Sequence, residues 1–192
     1  VDGSASPLLL SDVLPAAGDV REIQQVGERV LYRADQLVDE TFELFSAPVD
    51  GSAPSVHVSG PLVAGGDVDR AFLVGKSQVV FRADALVNDR DELFCAPLDG
   101  SAPPVALTPG VDTVSLHALA PDGSRVAYST YDVGIERLFV VSASGGSVPK
   151  LVALLGFPAT FDQVRFTPDG ARLVFVDLLD DDSTVTCDLW SA

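Results

Sequence analysis

A stretch of 26 residues occurs twice in this chain with 16 positions identical. RVLYRADQLVDETFELFSAPVDGSAP, from Arg29, returns from Gln78 as QVVFRADALVNDRDELFCAPLDGSAP. Looser copies start at Arg125 (RVAYSTYDVGIERLFVVSASGGSVP) and Arg172 (RLVFVDLLDDDSTVTCDLWSA). The anchors Leu44-Phe45, Leu93-Phe94, Leu138-Phe139 and Leu189-Trp190 recur at intervals of 49, 45 and 51 residues. A unit of this length cannot bury its apolar face alone, so copies must stack on one another.

Within each copy the apolar residues alternate, as in Val30 and Tyr32 against Leu31 and Arg33. That period of two belongs to half-buried strands. Asp-Gly pairs at Asp50-Gly51, Asp99-Gly100, Asp122-Gly123 and Asp169-Gly170 mark tight turns, where Gly supplies a positive φ. No segment sustains a 3.6-residue period, so no helix is expected. The spacing predicts four repeats: strands over 19–26, 29–34, 42–48 and 55–59; over 68–74, 78–83, 92–98 and 104–108; over 114–119, 125–130, 137–142 and 150–154; and over 162–166, 172–177 and 186–191. The fourth repeat lacks an outer strand, and residues 6–10 read as a strand without a repeat of its own.

A period in the forties with four short strands is that of a β-propeller blade. The fold class is therefore all-β, a β-propeller with four blades of four antiparallel strands, over 19–59, 68–108, 114–154 and 162–191. Bare sheet edges invite aggregation, so a row of blades is expected to close. Three arrangements satisfy the count. Residues 6–10 complete the last blade of a closed four-bladed ring, two chains form an eight-bladed homodimer, or the chain is a fragment of a longer propeller. A chain that starts at Val1 and has no Met reads as a processed or excised piece.

Charge narrows the partners. Net charge is −16, with 12 Lys plus Arg against 28 Asp plus Glu. A nucleic-acid binder needs a basic face to displace counterions, so nucleic acid is not expected as a partner. No apolar run approaches the roughly 20 residues of a membrane-spanning helix, so membrane insertion is not expected either. Cys95 and Cys187 lie too far apart in sequence for a CxxC pair and read as two isolated thiols.

The segments FTPDGARLVFVD at 166–177 and LAPDGSRVAYST at 119–130 resemble the TolB-like propeller repeats of bacteria. The first two blades carry Val26-Gly27-Glu28 and Val74-Gly75-Lys76 in place of Pro-Asp-Gly. The resemblance implies a non-catalytic protein-interaction or scaffold module, periplasmic or extracellular, with a protein partner. The alternatives it allows are the propeller domain of a larger prolyl-oligopeptidase-type enzyme, or a carbohydrate- or Ca²⁺-binding propeller.

Many relatives carry spaced acids between the second and third strands, a pattern suited to Ca²⁺. The corresponding positions here are Asp35, Leu37, Asp39 and Glu40, and Asp84, Leu86, Asn88 and Asp89. The middle acid is Leu in both, so a solvated hairpin tip is the expectation, with Asp35, Asp39, Asp84 and Asp89 as weak metal candidates. Asp180 and Asp182, in an acidic run, are equally weak. No cofactor is expected.

His57 and His117 lack metal-ligand spacing. His57 is expected on an exposed face of an outer strand, and His117 in an inner strand facing the centre. No GxSxG, P-loop, GxGxxG or HExxH motif occurs, and no carboxylate pair stands out as acid and base. The chain is therefore read as no enzyme, with no catalytic residues. Trp190 is expected to pack between blades.

Overall fold

The alternation of apolar residues settles into sheets. The computed structural model describes residues 6–111, 113–180 and 185–192. The first blade comprises β1 (Val20–Val26), β2 (Arg29–Ala34), β3 (Glu43–Pro48) and β4 (Val56–His57). The second comprises β5 (Val68–Val74), β6 (Gln78–Ala83), β7 (Glu92–Pro97) and β8 (Val105–Ala106). The third comprises β9 (Val114–Leu119), β10 (Arg125–Asp132), β11 (Ile135–Ser142) and β12 (Lys150–Gly156). The fourth comprises β13 (Ala159–Phe166), β14 (Leu173–Asp180) and β15 (Val185–Ser191). Within each blade, neighbouring strands pair antiparallel in chain order. The β10–β11 hairpin is longer than expected, and β13 begins earlier than 162.

The two faces of the second and third blades pack against different neighbours. Leu31 and Leu44 of the first blade meet Val79, Phe81, Phe94 and Ala96 of the second. Val80 and Leu93 on the second blade's other face meet Val126 and Tyr128 of the third. Ala127 and Leu138 of the third meet Phe161 and Phe175 of the fourth. Each large side chain buried in this way contributes about 1.5–3 kcal/mol. Three interfaces thus join four blades in series, and among the described residues no core cluster joins the fourth blade to the first.

Main-chain clasps reinforce the series. The Arg33 guanidinium donates to the Val68 carbonyl, and Arg82 donates to that of Val114 at 3.1 Å. On the opposite edge Gln78 donates to the Gly123 carbonyl at 2.6 Å and Arg125 to that of Gly170. Every inner strand also carries an irregularity in its pairing with the second strand: between Arg21 and Ile23, between Val68 and Phe72, at His117, and between Asp162 and Arg165. Such bulges increase local twist and re-aim side chains.

The expectation for residues 6–10 is corrected. They form no strand and do not complete the last sheet, which has three strands among the described residues. Leu10 instead packs on the first blade against Tyr32, Ala34, Phe45 and Ala47. Of the segment's apolar run only Leu10 joins this cluster, while Leu8 and Leu9 are exposed. Among the described residues no strand pairs with the outer side of β15, and Trp190, expected to pack between blades, is instead 51% exposed. Its counterparts Phe45, Phe94 and Phe139 lie in register with His57, Ala106 and Leu151 of an outer strand.

Candidate functional site

The loops joining second to third strands emerge on one side of the blades, the tip face. The turns joining first to second and third to fourth strands form the opposite turn face. The turn face is closed by repeated Asx turns. Asp50, Asp99, Asp122 and Asp169 each accept from the backbone N–H two residues on, at 3.0, 3.0, 2.9 and 2.9 Å. The following Gly residues take φ of 67°, 67°, 77° and 69°, as the Asp-Gly pairs predict. Bonds from the neighbouring hydroxyls and N–H groups hold these four carboxyls below their ordinary range.

The tip face is built differently. Asp35 is buried, and its carboxylate accepts from the Asp19 N–H and, at 3.1 Å, from the Glu40 N–H. Asp84 repeats this with the N–H groups of Asp67 and, at 2.9 Å, Asp89. Burial alone would raise the Asp35 pKa, but the backbone donors outweigh it and the net shift is downward. Each Asp pins both ends of its loop, with Glu40 and Asp89 in the left-handed region at φ 60° and 61°. With the loop base fixed, Leu37-Val38 and Leu86-Val87 project into solvent.

In the third blade a two-residue turn replaces this loop, since Asp132 pairs with Ile135. Val133 and Gly134 have φ of 45° and 75°, both positive as a type I′ turn requires. Asn, Asp or Gly would hold the first position readily, whereas a β-branched residue there is strained. Val133 is nevertheless 90% exposed. Phe157, also exposed, lies beside it, its N–H donating to the Gly134 carbonyl at 2.7 Å. The tip face therefore presents apolar side chains on three successive blades.

Between them the face is acidic. Asp67, Asp69, Asp84, Asp89 and Asp91 line a depression of about 520 Å³ together with Arg33 and Arg70. Arg82 is ion-paired to Asp69 and lies 3.7 Å from Asp91. Burial, with Asp84 and Asp69 close by, pushes the Asp91 pKa up against the pull of Arg82.

A second concavity lies among the inner strands. Gln24, Leu73, His117 and Arg165, one from each blade, line a depression of about 420 Å³. His117 thus faces the centre, as its strand position predicts. Its Nε2 lies 2.8 Å from Ser129 Oγ, which donates to Glu136 Oε1 at 2.6 Å. Glu136 Oε2 accepts from the Phe161 N–H at 3.0 Å. Because Ser129 gives its proton to Glu136, His117 donates to Ser129, and the chain is His–Ser–Glu. A nucleophilic serine would need the histidine to accept its proton, so this network serves as a clasp between third and fourth blades. Burial pushes the His117 pKa down, with Glu136 and Asp162 opposing.

Asp35 and Asp84 are occupied by backbone donors, whereas Asp39 and Asp89 lie exposed on the tips. The structure does not gather these four acids at one point, and among the described residues no cluster of three or more metal-ligating side chains occurs. Asp180 ends β14, its side chain outside the described residues, as is all of Asp182. His57 is not on an exposed face as expected. It stacks on Phe45 with ring centroids 5.0 Å apart, its Nε2 3.1 Å from the Glu43 carboxylate. Cys95 is buried, which pushes its thiol up to about 11; the Cys187 side chain lies outside the described residues. The sequence reading missed Val133 and Phe157. The available signal was a β-branched residue in a Val-Gly pair between strands.

No protein-family model matches the sequence. No curated protein matches it either. Solved structures do match. A protein described as TolB from Agrobacterium tumefaciens superposes with a TM-score of 0.60 at 12% identity, over 92% of this chain and 59% of that one. A prolyl endopeptidase superposes with a TM-score of 0.61 at 16% identity, over 91% of this chain and 27% of the other. A chain of a nidogen–laminin complex gives 0.50 at 10% identity, over 83% and 60%. The chain thus spans less than two thirds of the length of each. Blades that pair in chain order, stack in series and superpose on these structures have the fold of a TolB-like β-propeller.

Proposed function

We propose that this chain is a non-catalytic protein-interaction module, periplasmic or extracellular, that binds a protein through the tip face. Val133 is the observation that carries the reading: an apolar, strained side chain held in solvent at a turn where Asn or Gly would be more stable. Strain kept at an exposed position marks a site where stability gives way to recognition. Leu37, Val38, Leu86, Val87 and Phe157 extend the apolar surface, and the carboxylates around Asp69 and Asp91 set its sign. The partner surface is therefore apolar and flanked by Lys or Arg. TolB, whose structure superposes here, supports the reading by analogy of fold.

A photo-crosslinking residue placed in turn at Val133, Leu86 and Val148 tests it. Val148 is an exposed apolar residue on the turn face. One partner captured from Val133 and Leu86, absent from Val148 and lost in Leu37→Asp/Leu86→Asp, is the expected result. Equal capture from Val148, or none from the tips, would sink the proposal. The superposition on a prolyl endopeptidase favours a second reading, the propeller of a larger enzyme. In that case the tip-face partner is a catalytic domain in the same polypeptide.

A further inference from the structure

Leu44, Leu93 and Leu138 hold the same place in the third strand of successive blades, and all three are 0% exposed because the next blade covers them. Leu189 is the fourth copy, in register with Val176 on β14, and it is 75% exposed. The internal repeats show what covers such a face. On the second blade the covering surface is Phe81, Ala83, Phe94 and Ala96, packed on Leu31 and Leu44.

The first blade carries that covering surface too, in the same register: Tyr32, Ala34, Phe45 and Ala47. No blade lies on it here. Leu10 occupies it instead, held in place by Gln36, which accepts from the Asp12 N–H at 3.1 Å and from the Tyr32 hydroxyl at 2.9 Å. Leu8 beside it reaches over Gly51. One leucine thus stands where a neighbouring blade's leucines stand elsewhere in the molecule.

We propose that the exposed face of the fourth blade, centred on Leu189, docks onto the first blade of a second copy of this chain, displacing Leu10 from Tyr32 and Phe45. The interface is head-to-tail, a fourth repetition of the contact that already joins the blades. It closes into a two-chain ring if the rotation allows and otherwise extends. The segment around Leu10 is then an internal competitor that sets the strength of association.

Light scattering on the full 20.1 kDa chain across a dilution series tests this. The wild type is expected to associate with rising concentration. Leu189→Asp is expected to stay at the mass of one chain. Leu10→Asp, which frees the first-blade face, is expected to associate about tenfold more tightly. Wild type and Leu10→Asp both remaining single chains at every concentration would overturn the proposal, as would association unaffected by Leu189→Asp. Should Leu10→Asp fail to fold by circular dichroism, a peptide of residues 6–14 added to the wild type must weaken association, and no effect overturns the idea. Val133→Asp is expected to associate like the wild type. Loss of association there would assign self-contact to the tip face and overturn the docking proposed for Leu189.

Discussion

Leu138 and Leu189 occupy equivalent positions in the third strands of adjacent blades, and both follow the same apolar alternation. One is 0% exposed and the other 75%. The residue and its strand are alike; the difference is whether a blade lies beyond. Burial in a repeat protein is therefore a property of the joint between units, and the strand pattern only declares which side is ready to be covered. The two ends of the series manage that readiness differently. The first blade tucks Leu10 over its aromatic face, while the fourth leaves Leu189 open.

The sharpest way to break this comparison is to truncate the same residue at both places. Leu93→Ala removes a side chain sealed between two blades and is expected to cost about 2–5 kcal/mol in a denaturant melt. Leu189→Ala is expected to change the melt of the single chain by about 0.5 kcal/mol or less. Equal losses would mean that Leu189 is covered in solution.

Asp84 and Asp39 provide the next contrast. Asp84→Asn keeps the shape but weakens bonds to two backbone N–H groups, and a loss of about 1–3 kcal/mol is expected, against nearly none for Asp39→Asn. Matching effects would show that the tips are not pinned from beneath.

A smaller change runs in the opposite direction. Val133→Asn relieves the left-handed strain and is expected to stabilise the chain by about 1 kcal/mol in the same melt. It should weaken capture of the tip-face partner at the same time. A destabilised variant would remove the argument that this turn is strained.

The smallest expected effect is on pH dependence. The folded pKa of His117 lies below its ordinary value of 6.5. As pH falls through that value the unfolded chain takes up a proton that the folded chain refuses, so stability is lost from about pH 6.5 downward to the folded pKa. His117→Gln is expected to lose less stability than the wild type between pH 7 and 5, read as a smaller fall in melting temperature across that range. Parallel pH profiles would place the histidine in a solvated setting.

Most of the strands were legible because they are local. Arg29–Ala34 and Gln78–Ala83 alternate within six residues, and an Asp-Gly pair announces a turn in every blade. What a segment meets across space was not legible. Residues 6–10 have the apolar content of a strand, but nothing in Pro7-Leu8-Leu9-Leu10 distinguishes a sheet edge from the groove beside Tyr32. Asp35 looked like a loop acid because the Asp19 N–H it accepts from lies 16 residues away. The Val133 turn was hidden for another reason: it defies the residue preference by which such turns are recognised.

Most of the clasps between blades share a direction. Arg33, Gln78, Arg82 and Arg125 each reach forward to a carbonyl of the blade that comes later in the chain, and Glu136 accepts from an N–H there. A ribosome delivers the blades in that same order. When each new blade emerges, most of the fittings that will hold it are already mounted on its predecessor, waiting only for backbone. The product can therefore be assembled largely as it is made, from Arg33 onward, with Asp67 reaching back to the Phe42 N–H once the second blade has begun.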